Sequence, residues 1–180
     1  MTDKDLLALV ASGDEAAMRG LYERHQAAVF AFAMARLGDR MAAADVLHDV
    51  MLDVWRQAGR FEGRSAVRTW ILTMTRNKSI DAIRKTARTD YGDDGDTLID
   101  EEPTPEAAVA AAQDQERVRS CVSKLPDRQK TVVHLTFFEG LSYPEAAEVE
   151  DVPVGTIKTR IFHAKKALAA CLTAAGVQST

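Results

Sequence analysis

Between Trp55 and Arg88 nine basic residues (Arg56, Arg60, Arg64, Arg68, Arg76, Lys78, Arg84, Lys85 and Arg88) meet only two acids, Glu62 and Asp81. Phe61, Trp70 and the amide of Asn77 lie among them. That mixture suits single-stranded DNA. Cations hold the backbone, an aromatic face stacks on a base, and an amide hydrogen-bonds a base edge. The alternative is a solvated basic face, with Trp70 in the apolar stripe of Val67 and Ile71 and Phe61 fastening its loop to the core. A second set follows later. From Val154 to Thr180 four basic residues (Lys158, Arg160, Lys165, Lys166) stand without an acid. At helical spacing Thr156, Lys158, Thr159, Phe162, His163, Lys165 and Lys166 turn away from Ile157, Ile161, Ala164 and Leu168. Side chains near the start of such a helix reach base edges in a major groove, and later lysines hold phosphates. A third set is acidic. Asp45, Asp49 and Asp53 recur every fourth residue beside Val46, Val50 and Trp55, with Asp39 ahead of them. They form one row, either a solvated face or a docking strip.

Nothing in the sequence offers catalysis. His25, His48, His134 and His163 have no ligand spacing with Cys121 and Cys171, so neither a metal nor a cofactor is expected. There is no glycine-rich phosphate loop and no nucleophile motif. Both cysteines sit in helical runs and read as small packing residues rather than a redox pair. The acidic start, Met1-Thr2-Asp3-Lys4-Asp5, does not read as a secretory signal, and no apolar run reaches the ~20 residues of a membrane span. With two cysteines and no export signal, the expected compartment is the cytoplasm.

These sets need helices to present them. The chain has 180 residues, is 46% hydrophobic and 28% charged, and has few prolines, which favours an all-α fold with a buried core. Asp14 caps a predicted helix running to about Leu37, stopped by Gly38. A second runs from about Met41 to Ala58. After a loop, Gly59 to Arg64, Ser65 is the expected N-cap of a third, which runs to about Ala87. Thr89 to Glu116 then holds ten acids and no base, and its first part is rich in Gly and Pro. That part, Thr89 to about Pro105, reads as a flexible acidic linker at a domain boundary. A helix from about Pro105 then ends at Lys124, before Leu125-Pro126, and Asp127 caps the next. Ser142-Tyr143-Pro144-Glu145 is a capping box that opens a short helix. Asp151-Val152-Pro153 turns into a last helix from about Val154 to Thr173. A two-turn helix, a tight turn and a longer helix are the helix-turn-helix layout.

Two stretches carry a family resemblance. Leu125-Pro126, Phe138-Glu139-Gly140-Leu141-Ser142-Tyr143, Glu145, Ala147-Glu148 and Val152-Pro153-Val154-Gly155-Thr156-Ile157-Lys158-Thr159-Arg160 resemble region 4 of the extracytoplasmic-function (ECF) sigma factors, group IV of the sigma-70 family. Phe61-Glu62-Gly63-Arg64-Ser65, Val67-Arg68-Thr69-Trp70-Ile71, Arg76-Asn77 and Ile80-Asp81 resemble region 2 of that family. So does Ala44-Asp45-Val46-Leu47-His48-Asp49-Val50-Met51. Asp151 stands where the turn usually has Gly, and Asp tolerates the left-handed conformation. Glu150 stands where an apolar residue is usual. Asp49 and His48 replace the usual Glu and Gln, and Ala44 replaces a frequent Glu.

The resemblance implies two small helical domains, residues 1–88 and 113–180, joined by a linker over 89–112. It implies a non-enzymatic subunit that brings core RNA polymerase to promoter DNA and helps open it. Phe61, Arg64, Ser65, Arg76, Asn77, Lys78 and Arg84 would hold the minus-ten element, with Asn77 lining the pocket of a flipped base. Thr156, Lys158, Thr159, Arg160, Phe162, His163 and Lys165 would read the minus-thirty-five element. Asp45, Val46, His48, Asp49 and Asp53 would dock on the clamp helices of the polymerase's largest subunit. An anti-sigma protein is the expected regulator. Two other readings stay open. A stand-alone helix-turn-helix regulator would bind its operator without polymerase. A helical scaffold would use the acidic row alone.

Overall fold

The computed structural model describes residues 1–89 and 106–174, with the backbone alone at 88–89 and 106–114. Among these residues the regular structure is helical. Helix α1 spans Asp3–Ala11, α2 Glu15–Leu37, α3 Arg40–Gln57 and α4 Val67–Thr89, with a 3-10 turn at Ala58–Arg60 before the loop to α4. Helix α5 spans Glu106–Ser123, α6 Asp127–Val133, α7 Tyr143–Glu150 and α8 Val154–Ala174, with a π-helical turn at His134–Phe138. No described helix is long and apolar enough to cross a membrane.

The helix ends follow local chemistry. Asp14 accepts from the Ala17 amide and caps α2, and Gly38 ends it in the left-handed conformation that glycine adopts freely. Asp39 caps α3 through the Ala42 amide. Ser142 and Glu145 cap α7 reciprocally, each satisfying an amide of the other, a motif whose Ser→Ala loss costs ~1 kcal/mol. Asp151 ends α7 with φ 53° and ψ 52°.

Three local expectations are corrected. Ser65 is not the N-cap of α4, because the helix starts at Val67 and the Ala66 carbonyl accepts its first bond, from Trp70. Asp127 is inside α6 rather than capping it, since Pro126 occupies the cap position and supplies no side-chain bond. Helix α1, absent from the sequence reading, is held by a capping box between Thr2 and Asp5.

Two apolar clusters form. The first joins α1 to α4 through Leu7, Leu21, Val29, Val50, Val54 and Ile71, all essentially inaccessible. The second gathers Val132, Leu135, Ala146, Val149, Ile157 and Ala164 from α6 to α8, but also Phe32 of α2 and Leu72 of α4. Helix α7 packs on α4, and α6 on α2, so the two halves share a packed face. The linker read over 89–112 lies largely outside the described residues.

The cysteines are the largest departure. Cys121 on α5 and Cys171 on α8 form a disulfide, so they are not separate packing residues. They lie 50 residues apart on helices that are neighbours only in the fold. No spacing rule reveals that adjacency.

Candidate nucleic-acid and partner interfaces

The basic surface starts at the loop before α4. Gly63 has φ +71°, a conformation that lets the loop fold back tightly. Phe61 is half-buried and packs on the first cluster, its ring 5.2 Å from Trp70 at a tilt of 53°. Arg60 to Ser65, Trp70 and Glu148 of α7 frame an open cavity of about 230 Å³. Trp70 packs on the first cluster and also lines this cavity. Arg64 is well exposed and pairs with Glu62.

Further along α4 the seven-residue spacing of Trp70, Asn77 and Arg84 puts them on one face, about 10 Å apart per step. Asn77 is exposed, and its Oδ1 accepts from Arg76 at 3.2 Å. The Arg76 Nε is buried without a hydrogen-bond partner. Arg84 is exposed, with Asp81 3.8 Å away. Asn77 is not among the residues framing the cavity. The structure thus places Phe61, Arg64 and Ser65 at one end of α4, and Arg76, Asn77, Lys78 and Arg84 along its next turns.

Lys78 is not a free cation. Its Nζ lies 2.9 Å from Asp53 on α3. Its hydrogen bond to Asp53 raises its pKa against burial, and the charges of Asp53, Asp49 and Asp81 add to the rise. The acidic row is accordingly divided. Asp45, His48 and Asp49 are exposed, whereas Asp53 is engaged internally. Val46 is 4% exposed in the core, so it supports the row and cannot itself touch a partner. Periodicity had already put Val46 beside the row; only its burial removes it. Sequence reasoning missed a groove next to the row, lined by Met18, Tyr22, His48, Met51, Leu52 and Trp55 together with Glu15. Its signal was the i,i+4 pairs Met18–Tyr22 and Met51–Trp55.

In the helix-turn-helix, α8 buries Ile157, Ile161 and Ala164 and exposes Lys158, Thr159, Phe162, His163, Lys165 and Lys166. Thr156 is half-buried. Thr159 donates to the Gly155 carbonyl at 3.0 Å. Phe162 is 66% exposed and meets His163 edge-on. Lys165 Nζ lies 5.5 Å from the centre of the Phe137 ring, a cation–π contact. Exposed Phe137 extends this face and was not anticipated. Arg160 is held inward, its Nη1 3.5 Å from Glu150, so it is not free for a phosphate in this arrangement.

The shared face between the halves is polar at its edges. Arg36 Nη1 donates to Glu150 Oε1 at 2.8 Å, with the guanidinium over the Phe32 ring. Burial lowers the pKa of Arg36, against the pull of Glu150. Glu139 pairs with Arg68 of α4 and lies 3.2 Å from His134 Nε2. His134, then Arg68, hold its carboxyl below the usual range although burial pushes the other way. His134 also stacks between Phe32 and Phe138, at 5.9 and 5.6 Å.

Comparison with known proteins gives a consistent result. Residues 21–89 match the family Sigma-70 region 2, and residues 115–168 match Sigma-70, region 4. The ECF RNA polymerase sigma factor RpoE of Cereibacter sphaeroides is 33% identical over 173 residues, covering 89% of this chain and 93% of that protein. Among solved structures, CnrH in complex with the cytosolic domain of CnrY superposes with a TM-score of 0.70 at 28% identity, over 96% of this chain and 97% of that one. RpoE of Bartonella quintana, in complex with the anti-sigma factor NepR, shares the fold with a TM-score of 0.72 at 24% identity, over 86% of this chain and 96% of that one.

Proposed function

The chain belongs to the ECF RNA polymerase sigma factors, and from that premise we propose how its surfaces divide the work. The observation that carries the proposal is the pairing of two separate cationic surfaces on one chain. One is the aromatic cavity and exposed Asn77 of α4, and the other is the acid-free face of α8.

The exposed Asp45, His48 and Asp49 dock the protein on core polymerase, with the groove at Tyr22, Leu52 and Trp55 as an apolar neighbour. Thr156, Lys158, Thr159, Phe162, His163 and Lys165 lie in the major groove of the minus-thirty-five element. Phe61, Arg64 and Ser65 wall the space for an unpaired base of the minus-ten element. Arg76, Asn77 and Arg84 track the strand that follows. Trapping an unstacked base stabilises the open duplex, and polymerase performs the chemistry. The sigma subunit itself is not an enzyme. Its place of action is the cytoplasm, where polymerase works. Its regulator is an anti-sigma protein, as in the Bartonella quintana complex of the same fold.

The test is transcription by purified core polymerase on a promoter-fragment library. Added protein should create new start sites. Their absence would overturn the reading, and binding of a duplex operator without polymerase would favour a stand-alone regulator.

A further inference from the structure

Two kinds of partner hold the cations of this chain. Arg160 and Lys78 face carboxylates, Glu150 at 3.5 Å and Asp53 at 2.9 Å. A carboxylate cancels the charge and occupies donors that a phosphate would need. Lys165 is held by a ring instead. Its Nζ lies 5.5 Å from the centre of Phe137, within the range of a cation–π contact. The ring attracts the ammonium through its quadrupole but has no net charge. The pair therefore remains cationic, with N–H donors left over for a second partner.

The π-helical turn brings the ring there. Its wide hydrogen bond runs from the Glu139 amide to the His134 carbonyl, five residues back, at 3.0 Å. Leu135 anchors the turn in the second cluster, and Phe138 stacks on His134 at 5.6 Å. Phe137 stands outside both contacts, 56% exposed, against Lys165 of α8. Lys165 follows Lys158 by seven residues, so the two share a face of α8 about 10 Å apart. In a helix-turn-helix the early residues of the second helix meet bases, and later cations meet phosphates. We propose that Phe137 is a positioning residue, whose ring holds the Lys165 ammonium ready for a phosphate at the rim of the major groove. A lysine that is free in solution loses rotamer freedom when it binds, and ordering it beforehand removes part of that loss. This rests on the reading of α8 as the face that meets duplex DNA.

Titration of the full chain against a labelled duplex of mixed sequence tests the proposal, because a phosphate contact is indifferent to sequence. Across a series of salt concentrations, Lys165→Gln should flatten the plot of log affinity against log salt by about 0.9 in slope, one phosphate contact. Phe137→Leu keeps the charge and much of the apolar bulk but removes the ring. It should weaken binding about threefold at every salt concentration with the slope unchanged, the cost of ordering one long side chain. Phe137→Tyr should bind as the wild type does. In the Lys165→Gln background Phe137→Leu should cost nothing further, because the pair acts as one unit. Wild-type binding by Phe137→Leu overturns the proposal. So does an equal loss with and without Lys165, which would make the ring a DNA contact or a support of the fold in its own right. If Lys165→Gln changes neither affinity nor slope, the reading of α8 fails at that residue and the positioning role falls with it.

Discussion

Lys78 on α4 reaches across 2.9 Å to Asp53 on α3, joining the acidic row to the basic surface. Both side chains are partly solvated, so the pair contributes at most ~1 kcal/mol to folding. Asp53→Asn should therefore leave the urea midpoint nearly unchanged. It should also free the Lys78 ammonium and tighten single-strand binding. Equal binding by the variant and the wild type would mean that Lys78 does not meet DNA.

Asp49 is exposed and carries the docking reading. Asp49→Lys should weaken association with core polymerase by about tenfold, ~1.4 kcal/mol, through a charge at the edge of the interface. Helix content and unfolding should not change. Core affinity equal to the wild type in a titration would assign the row to solvent.

Asn77 is also exposed, so Asn77→Ala should alter stability by less than ~0.5 kcal/mol. Its expected effect is on promoter opening, read by permanganate reactivity of unpaired thymines. Recruitment to closed duplex promoter should suffer less. Equal losses in the two assays would return Asn77 to a structural role.

Acid should loosen the fold in two ranges. Burial holds His25 below its usual value of 6.5, against the Asp3 carboxylate 2.9 Å away. A group depressed in the folded state stabilises fully above its unfolded value and loses that contribution as pH falls through the folded one. The His25 contribution is thus complete above 6.5 and declines below it. That of Glu139, depressed by His134 and Arg68 against burial, is complete above 4.5 and lost in stronger acid. Urea midpoints should fall in both ranges, and His25→Gln should flatten only the upper one. A midpoint that rises on acidification from neutrality would contradict the assignment.

Reduction of Cys121–Cys171 should destabilise the second half. Closing a loop across a separation of 50 residues is worth at most about 4 kcal/mol by chain entropy. Unfolding with and without a reductant, beside Cys121→Ser, would measure it. Identical curves would mean that the packing of α5 on α8 suffices alone.

How much of this was legible depended on range. Helix ends written in one or two residues were readable, such as Asp14, Gly38 and the Ser142–Glu145 box. So was the apolar stripe of α8, because periodicity alone turned Lys158, Phe162 and His163 outward. What stayed hidden was contact between distant segments. Asp53–Lys78 spans 25 positions, Arg68–Glu139 71 and Arg36–Glu150 114. Glu150 was seen as a misfit in its pattern, but one of its two partners, Arg36, lies in the other half. Phe32 lies on α2, yet it enters the core of the other half. Such facts follow from docking, and docking leaves no local spacing.

The sulfur bridge between α5 and α8 also decides how the molecule can flex. Oxidised, it fastens α5 to α8, so those two helices move together. Reduced, α5 is held to α8 by packing alone. One covalent bond thereby couples α5 to the helix that presents Lys158, Phe162 and His163.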